Sequence, residues 1–95
     1  MSASGDGRDW EVSISPGAVR DLDRLPPRMA IACVEFVTTT LTTNPLRLSK
    51  DLTGDLTGFR SARRGDYRVL FELDDDSHLI HVVRIAHRRD AYRPF

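Results

Sequence analysis

The chain has 95 residues, 14 of them Lys or Arg and 14 Asp or Glu, so its formal net charge is zero. That length allows one domain with a thin core, and no apolar run is long enough to span a membrane. A single cysteine, Cys33, excludes an internal disulfide and fits a cytoplasmic protein.

Residues 1–8 hold neither an apolar stretch nor a small-residue cleavage site, so they are expected to be a disordered tail before a single domain over 9–95. Trp10, Val12 and Ile14 alternate with polar residues, which predicts a short strand over 11–14. Ser15-Pro16 reads as a helix cap followed by proline at the first helical position, and Ala18, Leu22 and Leu25 form a stripe that predicts a helix over 16–25. Pro26-Pro27 ends that helix and opens another over 27–42, with Ile31, Val34, Val37 or Thr38, and Leu41 as its apolar stripe. The threonine run 38–43 weakens its last turns. "TNPLRLSKDLTGDLTG" is rich in turn formers and reads as a connection. Strands follow over 59–64, 67–73 and 78–86, joined by Gly65-Asp66 and by Asp74–Ser77. The expected fold is α+β: a helical hairpin on one face of a curved, mainly antiparallel four-stranded sheet in the order β-α-α-β-β-β.

Neutrality hides an asymmetry. Residues 60–71 and 81–95 hold eight arginines and two acids, a balance of +6, which leaves −6 on the rest. Lys50 is the only lysine, and arginine suits phosphate because its planar fork donates two parallel hydrogen bonds. A two-residue turn at Gly65-Asp66 places Arg63 opposite Arg68. Tyr67, Val69, Phe71 and Leu73 then face the helices, and both arginines stand on the other face beside Ser61 and Leu70. Facing like charges cost roughly 0.2–1 kcal/mol, a cost that an anion between them would relieve.

The last strand leads into His87, Arg88, Arg89 and Tyr92. His87 offers proton transfer near neutral pH, and Tyr92 offers a ring to stack on a base. Together with Arg63 and Arg68 these make a phosphate-gripping surface with acid–base capacity, which metal-free RNA cleavage requires. Metal chemistry lacks support. His78 and His81 are three apart on a predicted strand and point to opposite faces, and Asp74–Asp76 lack the spacing of a calcium loop. No cofactor motif is present, "TGDLTG" lacking the lysine and length of a phosphate loop.

The segments "NPLRLSKDLTGDLTGFRSARRGDYRVLFEL" and "VVRIAHRRDAY" resemble the RelE/ParE superfamily of bacterial type II toxins, over about residues 10–92, and look most like actinobacterial RelE-type members. The resemblance implies a RelE-like toxin domain and a ribosome-dependent endoribonuclease that cuts mRNA in the A site. It also implies neutralisation by a cognate RelB-type antitoxin, and operator DNA binding only as the toxin–antitoxin complex. By position it implies that Arg68 contacts the scissile phosphate and that Arg63 is a strand cation of the site. Arg88 would stabilise the phosphate or protonate the leaving group, and Tyr92 would stack on or orient the attacked nucleotide. His87 sits where some members hold lysine and others histidine. Arg60, Ser61, Arg64 and Arg89 complete the expected RNA-binding surface. Ser61 departs from the pattern, which has Lys or Arg there, and this leaves the general base unassigned. Arg60 and Arg64, one residue out of phase, point the other way or frame the edge unless the strand is bulged. Two alternatives remain open on the sequence: a ParE-like inhibitor of DNA gyrase, and an inert member that binds only antitoxin and operator.

Overall fold

The computed structural model describes residues 9–93, so the tail expected over 1–8 lies outside the described residues. The alternation at Trp10, Val12 and Ile14 yields strand β1 (Glu11–Ile14), and those three side chains pack against the core. Ser15 Oγ then accepts the Ala18 N–H at 3.1 Å and caps helix α1 (Pro16–Arg24). Pro27 likewise opens helix α2 (Pro27–Glu35).

The helix expected over 27–42 is regular only to Glu35. It continues as a π turn, Phe36–Thr40, and a 3-10 turn, Leu41–Thr43. The threonines supply the cause. Thr38 Oγ1 donates to the Val34 carbonyl at 2.8 Å, Thr42 Oγ1 to that of Thr39 at 3.1 Å, and Thr43 Oγ1 to that of Thr40 at 2.7 Å. Such back-bonds compete with the amide ladder, so the coil widens and then tightens. The buried stripe differs from the expected one as well. Cys33, Val37 and Leu41 face the sheet, whereas Ile31 is 62% exposed.

The sheet has five strands, not four. Besides β1 it contains β2 (Ser49–Asp51), β3 (Arg60–Arg64), β4 (Tyr67–Asp74) and β5 (Leu79–His87), in the spatial order β1-β5-β4-β3-β2. β1 runs parallel to β5 and the other pairings are antiparallel. The extra strand, β2, lies in the segment read as a connection. It is three residues long and sits at the edge, where pairing with β3 rather than local propensity sets its conformation.

Gly65 has φ of +61°, the glycine-first geometry of a type II′ turn, and the hairpin pairs Arg63 with Arg68 and Arg64 with Tyr67 as expected. Asp74 steadies the next turn, its carboxylate accepting from the Ser77 N–H and hydroxyl at 3.2 and 3.1 Å. Val69 and Phe71 enter the helix-side core with Ala62, Ile80, Val82 and Ile85. The register shifts between Leu70 and Phe71: Leu70 faces Arg84 while Phe71 faces Val82, so Val83 is the extra residue of a bulge. A second small cluster, Leu56, Leu70 and Ala91, covers part of the opposite face. Among the described residues no helix is long and apolar enough to cross a membrane.

Candidate functional site

The face of the sheet turned away from the helices is not flat. Strand β2 and the chain just before it rise on one side, and the turn after β5 rises on the other. Between them lies a cleft of about 410 Å³, lined by Arg47, Leu48, Ser49, Lys50, Ser61, Arg63, Arg68 and Tyr92. Four of the eight lining residues are cationic and none is acidic, so this cleft concentrates positive potential on a neutral protein.

Each wall has a physical origin. Arg68 stands on the central strand with buried Val69 beside it, and its Nη1 donates to the carbonyls of Gly65 and Tyr67 at 3.0 Å each. Its guanidinium is thus held by the hairpin's own backbone. Arg63, directly across, is exposed. Ser61 is 5% exposed, and its hydroxyl lies 2.9 Å from the phenol oxygen of Tyr92. Tyr92 itself is held by the turn that follows β5. There Arg84 Nη1 donates to the Ala91 carbonyl at 2.9 Å and also to the Arg93 carbonyl.

The structure therefore brings Arg63, Arg68, Ser61 and Tyr92 together and separates other expected members from them. His87 pairs with Tyr67 on the helix side, where the two rings meet edge-on with centroids 5.6 Å apart. It lines a different hollow, shared with Asp21, Arg24 and Asp90. Its Nδ1 accepts the Arg89 N–H at 3.2 Å, so its visible role is to steady the terminal turn. The bulge at Val83 causes this placement. One extra residue inverts the alternation, so Ile85 and His87 turn inward while Arg84 pairs with Leu70.

Arg60 and Arg64 are likewise not cleft residues. Arg60 donates to Ser49 Oγ at 2.7 Å and to the carbonyls of Leu46 and Ser49 at 3.3 Å, and it pairs with Asp51 at 2.6 Å. It staples the β2 segment to β3. Arg64 lies close enough to buried Cys33 to oppose, by its charge, the upward push that burial gives the thiol. Arg88 and Arg89 are exposed beyond the end of β5, and the Arg88 N–H donates to the Asp66 carbonyl at 2.8 Å. That bond ties the trailing segment to the hairpin turn beside Arg68.

Arg47, Leu48 and Lys50 were not anticipated as site residues. The alternation in "LRLSK" was their available signal, masked by Pro45 on one side and Thr53-Gly54 on the other. Among the described residues no group of three or more His, Cys, Asp or Glu side chains is arranged to hold a metal ion.

Known proteins resemble this chain over most of its length. The family described as "ParE toxin of type II toxin-antitoxin system, parDE" matches residues 12–92. Toxin RelE of Mycobacterium tuberculosis is 50% identical over 88 residues, which cover 93% of this chain and 91% of that protein. Toxin RelG of the same organism is 44% identical over 84 residues, covering 88% and 97%. A chain in the crystal structure of the RelBE2 toxin–antitoxin complex of M. tuberculosis superposes with a TM-score of 0.81 at 43% identity, covering 86% of this chain and 94% of that one.

Proposed function

The chain belongs to the RelE/ParE superfamily and is a RelE-type toxin of a type II toxin–antitoxin system, and from that premise we propose that it is a ribosome-dependent, metal-independent endoribonuclease that cuts mRNA in the A site. The observation that carries this reading is the cleft in which Arg63 and Arg68 face each other beneath Tyr92, with no carboxylate among the lining residues.

In that cleft the scissile phosphate lies between the two guanidinia. The neighbouring 2′-hydroxyl oxygen loses its proton to water and bonds to phosphorus to form a 2′,3′-cyclic phosphate, while the bond to the 5′-oxygen breaks and the departing oxygen takes a proton from water. Negative charge grows on the non-bridging oxygens as this happens. Arg68, already held by two carbonyls, stabilises that charge with little reorganisation. Tyr92 presents its ring to the attacked base, its phenol fixed by Ser61. Arg88, whose backbone is tethered to the hairpin turn, supplies a further cation for the phosphate and a hydrogen bond for the leaving oxygen. Arginine does not give up its proton near neutral pH, and His87 faces the other side of the sheet, so neither serves as a general base in the cleft. Alignment of the message by the ribosome then supplies much of the rate, and free RNA is a poor substrate.

The partner in this reading is a cognate RelB-type antitoxin, as the RelBE2 complex suggests, with operator DNA bound only by the pair and the toxin acting in the cytoplasm. The ParE label of the matching family favours a second reading, inhibition of DNA gyrase. Primer extension on a translated message after induction separates the two. Codon-phased cuts are expected; intact message with broken DNA would transfer the protein to the gyrase reading.

A further inference from the structure

The cleft holds a cation that no strand-face pattern in the β3–β4 hairpin provides. Lys50 pairs directly with Ser61 across β2 and β3, so the two side chains leave the sheet on the same face. Ser61 is buried and carries no charge, and its hydroxyl is engaged with Tyr92. Lys50 therefore lines the cleft over the uncharged Ser61 position, beside the Arg63–Arg68 pair. Its neighbour Asp51 does not neutralise it: Asp51 pairs with Arg60 and binds that guanidinium at 2.6 Å. Among the described residues Lys50 makes no ion pair. Arg47 lines the same wall, with Leu48 beside it.

The wall is also fixed in place. Arg60 donates to Ser49 Oγ, to the Ser49 and Leu46 carbonyls and to Asp51, so one guanidinium ties four groups of the segment to β3. The Leu48 N–H donates to the Asn44 carbonyl at 3.2 Å and the Arg47 N–H to Asn44 Oδ1 at 3.2 Å, which closes the turn leading into it. A rigid segment that turns its acid to one face and leaves its cations on the other is built to hold an anion.

We infer that Lys50, flanked by Arg47, forms a second phosphate-binding wall of the cleft, taking a backbone phosphodiester of the same single-stranded RNA whose scissile phosphate lies at Arg63 and Arg68. This rests on the endoribonuclease reading and extends it to a subsite on β2. Lys50 acts as a point charge, so arginine replaces it and an uncharged chain of similar length does not.

The test compares the parent protein with Lys50→Met, Lys50→Arg and Arg28→Met on ribosomes programmed with message, under single-turnover conditions and at several salt concentrations. Arg28 is an exposed cation on α2, away from the cleft. Lys50→Met is expected to lower kcat/KM by about 10- to 100-fold, the loss of one charge-assisted contact. The dependence of log kcat/KM on log salt should also become shallower by roughly 0.7, one phosphate contact on a single strand. Lys50→Arg should retain most of the parent rate and the parent slope, and Arg28→Met should change neither. Parental rate and slope in folded Lys50→Met would overturn the subsite while leaving the nuclease intact. Equal losses in Lys50→Met and Arg28→Met would reduce it to general attraction and overturn it too. A parent that does not cut at all would overturn the underlying reading, and the subsite with it.

Discussion

Ser61 Oγ and Tyr92 Oη lie 2.9 Å apart, joining β3 to the turn after β5 across the floor of the cleft. Ser61 is buried and Tyr92 is 39% exposed, so the bond anchors a ring that otherwise borders solvent. Where the family resemblance implies a cation, this chain has a hydroxyl that fixes an aromatic. Ser61→Ala and Tyr92→Phe each remove that bond and keep the ring. Each should lower the cleavage rate by about 5- to 10-fold, and the double variant should be no slower than either single one, because they break the same interaction. Additive losses in the double variant would show that the two side chains act separately.

Arg84 governs the same turn from below. Its Nη1 reaches the carbonyls of Ala91 and Arg93, closing the chain segment that carries Tyr92. Arg84→Ala removes the donor and leaves the half-buried Ala91 carbonyl without it, a cost of about 1–3 kcal/mol. Chemical denaturation should register that loss. Cleavage should fall further than stability alone explains, since Tyr92 loses its support. Unchanged amide exchange over residues 90–93 in the variant would contradict this role.

Cys33 gives a pH signature unrelated to the site. It is 1% exposed, and burial pushes its thiol above the ordinary value of 9.0, with the Arg64 charge opposing in part. The folded protein thus holds the thiol proton to higher pH than the unfolded chain does. The stabilising term is complete below about pH 9 and is lost as pH rises through the folded value. The difference in unfolding free energy between the parent and Cys33→Ala should be flat below that point and shrink above it. A difference that grows with rising pH would reverse the assignment.

The hairpin was legible because local chemistry fixes it. Gly65-Asp66 sets the turn, the turn sets the register, and alternation from Tyr67 to Leu73 sets the face, so the opposition of Arg63 and Arg68 followed from the sequence. Strand β2 was not legible. Three residues between turn formers carry too little pattern, and the pairing with β3 that defines them is non-local. The position of His87 was hidden for a related reason. A bulge at Val83 moves every later side chain of β5 to the opposite face, and nothing in "HVVRIAH" distinguishes a bulged strand from a regular one. The clustering of arginines was visible, but their division of labour was not. Arg60 and Arg84 hold the walls, whereas Arg63 and Arg68 face the space between them.

If the Arg63–Arg68 cleft cuts mRNA on the ribosome as proposed, cleavage depends most on Arg68. Its side chain turns away from the helix-side core, so Arg68→Ala should fold with little change in its unfolding midpoint. Single-turnover cleavage of an A-site codon by this variant and the parent on programmed ribosomes is the decisive measurement. A rate about 100- to 1000-fold below the parent is expected, the usual consequence of losing one pre-held donor to a developing oxyanion. A folded Arg68→Ala protein that cuts at the parent's rate would contradict the proposal.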